Sequence, residues 1–268
     1  MKKKIFRWAK VFILVYCTGG IVLYYGQNSM LFHPVTVDKH TRYEFGQAYT
    51  EVNLPYDRET NLNIIQFRTP DSVAKGVVLY FHGNRANISR YASFAPSFTG
   101  RGYEVWMIDY PGFGKSTGKF TEQKLYDYAL QLYKLARSRY KPSGIILYGK
   151  SLGTCMATQL ANARDCRRLI LETPCYSMTS LIRHWLPIYP IGTMLHYRFP
   201  NNEWLPGVTA PVSIFHGTSD GVIPYSNAAR LKPLLKPGDE FITIEGGSHN
   251  DLYSFPLFRQ KLDSLLER

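Results

Sequence analysis

The chain opens with MKKKIFRWAKVFILVYCTGGIVLYY, a basic cluster followed by apolar residues from Val11 to Tyr25. That run is shorter than the roughly 20 residues that span a bilayer comfortably, but Trp8 and a snorkelling Lys10 lengthen its effective reach. No small-x-small cleavage site follows it, and apolar residues continue past Thr18, Gly19 and Gly20. The pattern therefore favours an uncleaved signal-anchor, a transmembrane helix over residues 1–26, rather than a removed signal peptide. Basic residues on its N-terminal side keep that end in the cytoplasm, so the remainder is expected outside the cytoplasm, in the periplasm if the chain is bacterial.

A connector rich in aromatics and turn formers occupies residues 27–48. From 49 to 268 the pattern alternates extended and helical segments. AYTEVNLPYDRETNLNIIQFRT reads as two strands around a turn at Tyr56 to Glu59, and GVVLYFHGN as a buried strand ending in a glycine loop. ISRYASFAPSFTGRG predicts a helix closed by glycine, and YEVWMIDYPGFG a strand running into a glycine-rich turn. In TEQKLYDYALQLYKLARSRY, the spacing of Leu125, Tyr128, Leu132 and Leu135 predicts a helix with one buried face, N-capped by Thr121. The order continues with strand SGIILYG, helix Leu152 to Arg164, strand RRLILET, strand APVSIFHG, helix YSNAARLKPLLK, strand EFITIEGG and a last helix through Leu265. This is an α/β pattern: a mostly parallel central sheet flanked by helices. A Pro- and aromatic-rich insertion at about 174–207 interrupts it as a small helical cap.

In such a fold ligands bind where strand ends meet loops, and one of those loops is GKSLG. Gly149, Ser151 and Gly153 fit G-x-S-x-G between a strand and a helix, the context of a nucleophile elbow. The turn is so sharp that the flanking positions approach neighbouring backbone, which glycine tolerates. A serine hydroxyl is a weak nucleophile, so it requires a histidine to take its proton and a carboxylate to orient that histidine. HGTSDGVIP supplies Asp220 and GGSHND supplies His249, each in a loop after a strand and in the order this arrangement needs. Glu172 competes with Asp220 as the acid, whereas Asp251 is too near His249 in sequence. A tetrahedral oxyanion needs two backbone N–H donors. Leu152 follows the nucleophile, and Asn84 follows Gly83 in the early glycine loop. Asp109 is expected to brace the YPGFG turn, and the six other histidines to be structural.

YFHGNRANISR, IDYPGFGKSTG, YGKSLGT, ETP, HGTSDGVIP and GGSHND together resemble the ABHD-type α/β-hydrolases, membrane-anchored serine hydrolases of the serine aminopeptidase-like branch. The resemblance spans nearly the whole chain, and it implies the α/β-hydrolase fold, Ser151, Asp220 and His249 as triad, and Asn84 and Leu152 as oxyanion donors. HGNRAN departs from the family in carrying Arg85 and Ala86 where small residues are common.

Charge changes little. The formal charge is +12, but Lys2, Lys3, Lys4, Arg7 and Lys10 precede the first acid, Asp38. No basic run with interleaved aromatics stands out beyond them, which argues against a nucleic-acid partner and fits attraction to anionic membrane surfaces. Cys155, Cys166 and Cys175 match no zinc or redox spacing. No metal or organic cofactor is implied, because the triad completes acyl transfer unaided. The apolar cap and anchor point to a small-molecule or lipid acyl ester or thioester as substrate. A serine peptidase would use the same residues, although the cap shows no clear acidic cluster for a peptide amine. A non-catalytic binding relative would usually have lost one of the three.

Overall fold

In the segment Gly76–Phe81 every side chain is buried, yet Val77, Leu79 and Phe81 face one apolar cluster while Val78 and Tyr80 face another. A strand period of two produces that division, and the molecule has a hydrophobic core on each face of its sheet. The computed structural model describes residues 1–71 and 73–267. Eight strands form the main sheet: β1 (Tyr49–Pro55), β2 (Asn61–Phe67), β3 (Gly76–Phe81), β4 (Tyr103–Ile108), β5 (Ile145–Lys150), β6 (Arg168–Glu172), β7 (Val212–Gly217) and β8 (Glu240–Ile244). Their order is β1-β2-β4-β3-β5-β6-β7-β8, with β2 antiparallel to both neighbours and every other pairing parallel.

Of the longer helices, α1 spans Lys2–Leu31, α2 Glu122–Arg137, α3 Gly153–Ala163, α4 Met178–Trp185 and α5 Pro256–Glu267. Leu125, Ala129 and Leu132 of α2 and Cys155 and Leu160 of α3 close one core, while Phe258 and Leu262 of α5 close the other. Thr121 caps α2, its hydroxyl accepting from the Lys124 N–H at 3.3 Å. Two expected helices are broken. ISRYASFAPSFTGRG forms a short helix Ile88–Tyr91, a 3₁₀ turn Ala92–Phe94 and a second short helix Pro96–Thr99. Pro96 has no N–H to continue the ladder. YSNAARLKPLLK likewise tightens into a 3₁₀ segment, Ala229–Leu234, that contains Pro233.

The cap between β6 and β7 consists of α4 and the short helices Ile191–Met194 and Asn201–Trp204. It packs against α1, which by length and composition is apolar enough to cross a membrane. Tyr16 and Tyr189 stack with ring centroids 4.7 Å apart. Gln27 is buried, accepts from the His196 N–H at 2.8 Å and donates to the Met194 carbonyl at 3.3 Å. Just past the end of α1, Phe32 enters the core against Phe120 and Tyr197. Cys155 and Cys175 are buried and Cys166 is partly buried, all as free thiols.

Candidate active site

Ser151 stands at the turn between β5 and α3 with φ at 52°, a left-handed conformation that a residue with a side chain adopts only under constraint. Its N–H donates to the Glu172 carbonyl at 2.8 Å, which pins the turn to the end of β6. The two glycines have steric causes. A Cβ at Gly149 would lie 2.6 Å from the Gly153 carbonyl oxygen, and one at Gly153 would overlap the Phe81 carbonyl and lie 2.8 Å from that of His82. With side chains at either position, α3 could not start so close to β3 and β5.

The loops after β7 and β8 bring two more side chains to this turn. Asp220 Oδ2 lies 2.8 Å from His249 Nδ1. A carboxylate can only accept, so Nδ1 carries the proton and Nε2 keeps its lone pair. That nitrogen is 2.9 Å from Ser151 Oγ and is the acceptor for its hydroxyl. Asp220 is buried, and burial alone would raise its carboxyl. Hydrogen bonds from His249, Ile223 and Val222 outweigh that effect and hold it below its usual value of 3.8. The Val222 and Ile223 amides both donate to Oδ1 at 2.8 Å and leave Oδ2 aimed at the imidazole. Asp251 instead accepts from the Ser248 N–H at 2.7 Å.

Glu172 points elsewhere. Register places it opposite Lys150 on the neighbouring strand. It pairs with the Lys150 ammonium and accepts from the Tyr148 hydroxyl, all three being buried. Burial, reinforced by the neighbouring carboxylate, pushes the Tyr148 hydroxyl well above its usual value, so it stays a donor.

The loop after β3 lies beside Ser151, whose Cβ would be 3.5 Å from a Cβ at Gly83. Among the described residues, no protein group accepts from the N–H of Asn84 or Leu152, so both amides are unengaged beside the serine. Asp109 differs from expectation: its carboxylate accepts from the Ile88 N–H at 2.9 Å and lies 3.2 Å from His82 Nε2, bracing the helix after this loop rather than the glycine turn. It does abut Gly114 of that turn, where a Cβ would collide with it.

The family model described as serine aminopeptidase, S33, matches residues 72–204. Alpha/beta hydrolase domain-containing protein 17B of Homo sapiens is 31% identical over 198 residues, covering 73% of this chain and 67% of the relative. The chain belongs to the ABHD-type α/β-hydrolases. Protein 17C of Mus musculus, of the same series, is 30% identical and covers 78% of this chain, which spans 65% of it. This hydrolase thus spans about two thirds of the length of these relatives. The fold recurs in an esterase of Pyrococcus furiosus, with a TM-score of 0.67 at 15% identity, covering 89% of this chain and 97% of that one. A monoacylglycerol lipase of Paleococcus ferrophilus superposes with a TM-score of 0.59 at 19% identity, over 77% and 98% of the two chains.

In this hydrolase the segment after α1 straps the Asn84 loop. The Asn84 side chain donates to the Leu31 carbonyl at 2.6 Å, and the His33 N–H donates to the Asn84 carbonyl at 2.9 Å. His33–Pro34 then pairs in parallel with Arg85–Ala86, where Ala86 has φ at 63°. Farther on, the Val35 carbonyl accepts from the Asn87 side chain at 3.0 Å and from the Gly114 N–H at 2.9 Å. None of this was legible in the sequence, since pairing two residues with two others some fifty positions away leaves no local pattern.

Ser151 and His249 open into a cavity of about 130 Å³ whose lining includes Tyr91, Val222 and two guanidinium groups, Arg85 and Arg90. A larger surface cavity of about 810 Å³, lined by Arg68, Glu104 and Arg139 among others, shares no residue with it. Among the described residues no group of three or more His, Cys, Asp or Glu is placed to hold a metal.

Proposed function

We propose that this hydrolase cleaves carboxylic esters or thioesters of acyl groups through Ser151, His249 and Asp220. The observation that carries the reading is the unbroken line of hydrogen bonds from the Asp220 carboxylate through the imidazole to the serine oxygen. As Ser151 Oγ attacks the acyl carbon, its proton passes to His249 Nε2, and Asp220 stabilises the resulting imidazolium. Negative charge develops on the acyl oxygen, and the N–H groups of Asn84 and Leu152 stabilise it without reorganising. Return of the proton to the leaving alcohol or thiol leaves an acyl-enzyme, and water, deprotonated by the same histidine, releases the acid. The N-terminus of α3 also favours charge developing at the serine.

α1 serves in this reading as an uncleaved membrane anchor, with its N-terminus cytoplasmic and the catalytic domain outside the cytoplasm. The packing of Tyr16, Gly19 and Gly20 on Tyr189 of the cap supports retention, because cleavage after the apolar run would remove these contacts. A panel of acyl esters and thioesters of increasing chain length, run beside aminoacyl and peptide amides, tests the substrate class. Turnover of esters with a preference for chains longer than acetyl is expected. Faster turnover of peptide amides would replace the esterase reading with a peptidase.

A further inference from the structure

Between Trp185 and Leu195 the cap reads WLPIYPIGTML, without one charged residue, and it is flanked by Arg183 and His184 on one side and by His196 and Arg198 on the other. Two large apolar side chains of this segment stand in the open, Trp185 at 54% and Ile188 at 66% exposure. We propose that this cap tip lies within the bilayer beside α1, so that the membrane-contacting surface is a composite of the helix and the cap. The inference rests on the reading of α1 as a retained anchor.

The geometry of α1 points to it. At about 1.5 Å per residue, the stretch from Lys2 to Val15 measures roughly 20 Å, too short for about 30 Å of hydrocarbon. The cap already meets the helix at the next residue: the Tyr16 hydroxyl donates to the Ile188 carbonyl at 3.1 Å, and the Tyr189 hydroxyl donates to the Tyr16 carbonyl at 3.2 Å. Gly19 and Gly20 face the Tyr189 ring one turn further on. A helix that crosses the bilayer must therefore take the cap tip in with it. About 30 Å takes about 20 residues, from Ile5 to Tyr25, which leaves Trp8 near one interface, Tyr24 and Tyr25 at the other, and Tyr16 about 12 Å inside the second. The segment suits that depth. Its large exposed side chains, Trp185 and Ile188, are apolar, the exposed Thr193 hydroxyl donates to the Pro190 carbonyl at 3.0 Å, and the two tyrosine hydroxyls are satisfied by the Ile188 and Tyr16 carbonyls, as hydrocarbon requires. The basic residues at its ends match the headgroup level of an anionic surface.

The test uses the full chain in phosphatidylcholine–phosphatidylglycerol vesicles, with Cys17→Ser to remove the exposed thiol. A nitrobenzoxadiazole fluorophore is placed at Ile188→Cys or, on the helix covering the opposite face of the sheet, at Gln260→Cys. Lipids brominated on their acyl chains should quench the probe at 188 about twofold or more and leave that at 260 nearly unchanged. Ile188→Glu should slow hydrolysis of a long-chain acyl ester embedded in vesicles about tenfold, with a water-soluble short-chain ester within about twofold of the parent. On the same samples, carbonate extraction reports anchoring and fluorophosphonate labelling reports the serine. A chain that stays membrane-bound and labels, yet has the 188 probe quenched by aqueous iodide as strongly as the 260 probe, overturns the proposal and leaves the hydrolase reading intact. Release by carbonate removes the anchor and this inference with it, and loss of labelling alone strikes only the hydrolase reading.

Discussion

At the scale of single residues, the elbow shows how much chemistry a local pattern can carry. Gly149, Ser151 and Gly153 are readable because each answers a short-range steric demand, a positive φ or a close backbone approach. Lys150, at the variable position of the same motif, is not readable that way, since its partner Glu172 is supplied by sheet register. Lys150→Met strands a buried carboxylate and should cost about 3–5 kcal/mol in denaturant unfolding. Replacing both, as Lys150→Met with Glu172→Leu, should recover most of that loss. For the reaction, Asp220→Asn keeps the shape of the loop but allows the wrong histidine tautomer, and kcat should fall by about 10⁴. Because the Asp220 carboxyl is held below 3.8, it remains ionised throughout the working range, and the acid limb of kcat/KM should carry one proton.

At the scale of elements, the strands and the longer helices were legible because periods of two and 3.6 are local properties. Helices failed where Pro96 and Pro233 removed donors from otherwise periodic segments. The strap from Leu31 to Val37 was invisible for the opposite reason: its bonds to Asn84, Arg85–Ala86 and Asn87 are long-range. It ties the end of α1 to the loop expected to hold the oxyanion. Asn84→Ala keeps the backbone N–H but loses the bond to Leu31, and kcat should fall about tenfold with KM nearly unchanged. Removing residues 1–24 keeps the strap and should leave turnover of a soluble ester within about twofold, while removing 1–37 should lower kcat about 10²-fold. Equal kinetics for the two truncations would separate the strap from catalysis.

For the molecule as a whole, two buried groups, His216 near the end of β7 and Asp220 in the loop after it, set a pH dependence of stability. Burial holds the His216 imidazole below its ordinary 6.5 and keeps it neutral in the fold. Below that pH the unfolded chain takes a proton that the folded chain resists, so this contribution is complete above pH 6.5 and declines as the pH falls toward the folded value. Asp220 adds stability that is complete above 3.8 and lost only as the pH falls further. Tm should therefore begin to drop just under pH 6.5, and His216→Gln should flatten that first slope in scanning calorimetry. The loops after β7 and β8 also hold the hydrogen-bonded line from Asp220 to Ser151, on which the functional account turns. Intact-protein mass spectrometry after exposure to a fluorophosphonate probes that line most directly. A single adduct on the wild-type chain, mapped to Ser151 and absent from Ser151→Ala, is the predicted result. An unmodified wild-type chain, or an adduct that persists in Ser151→Ala, would contradict it.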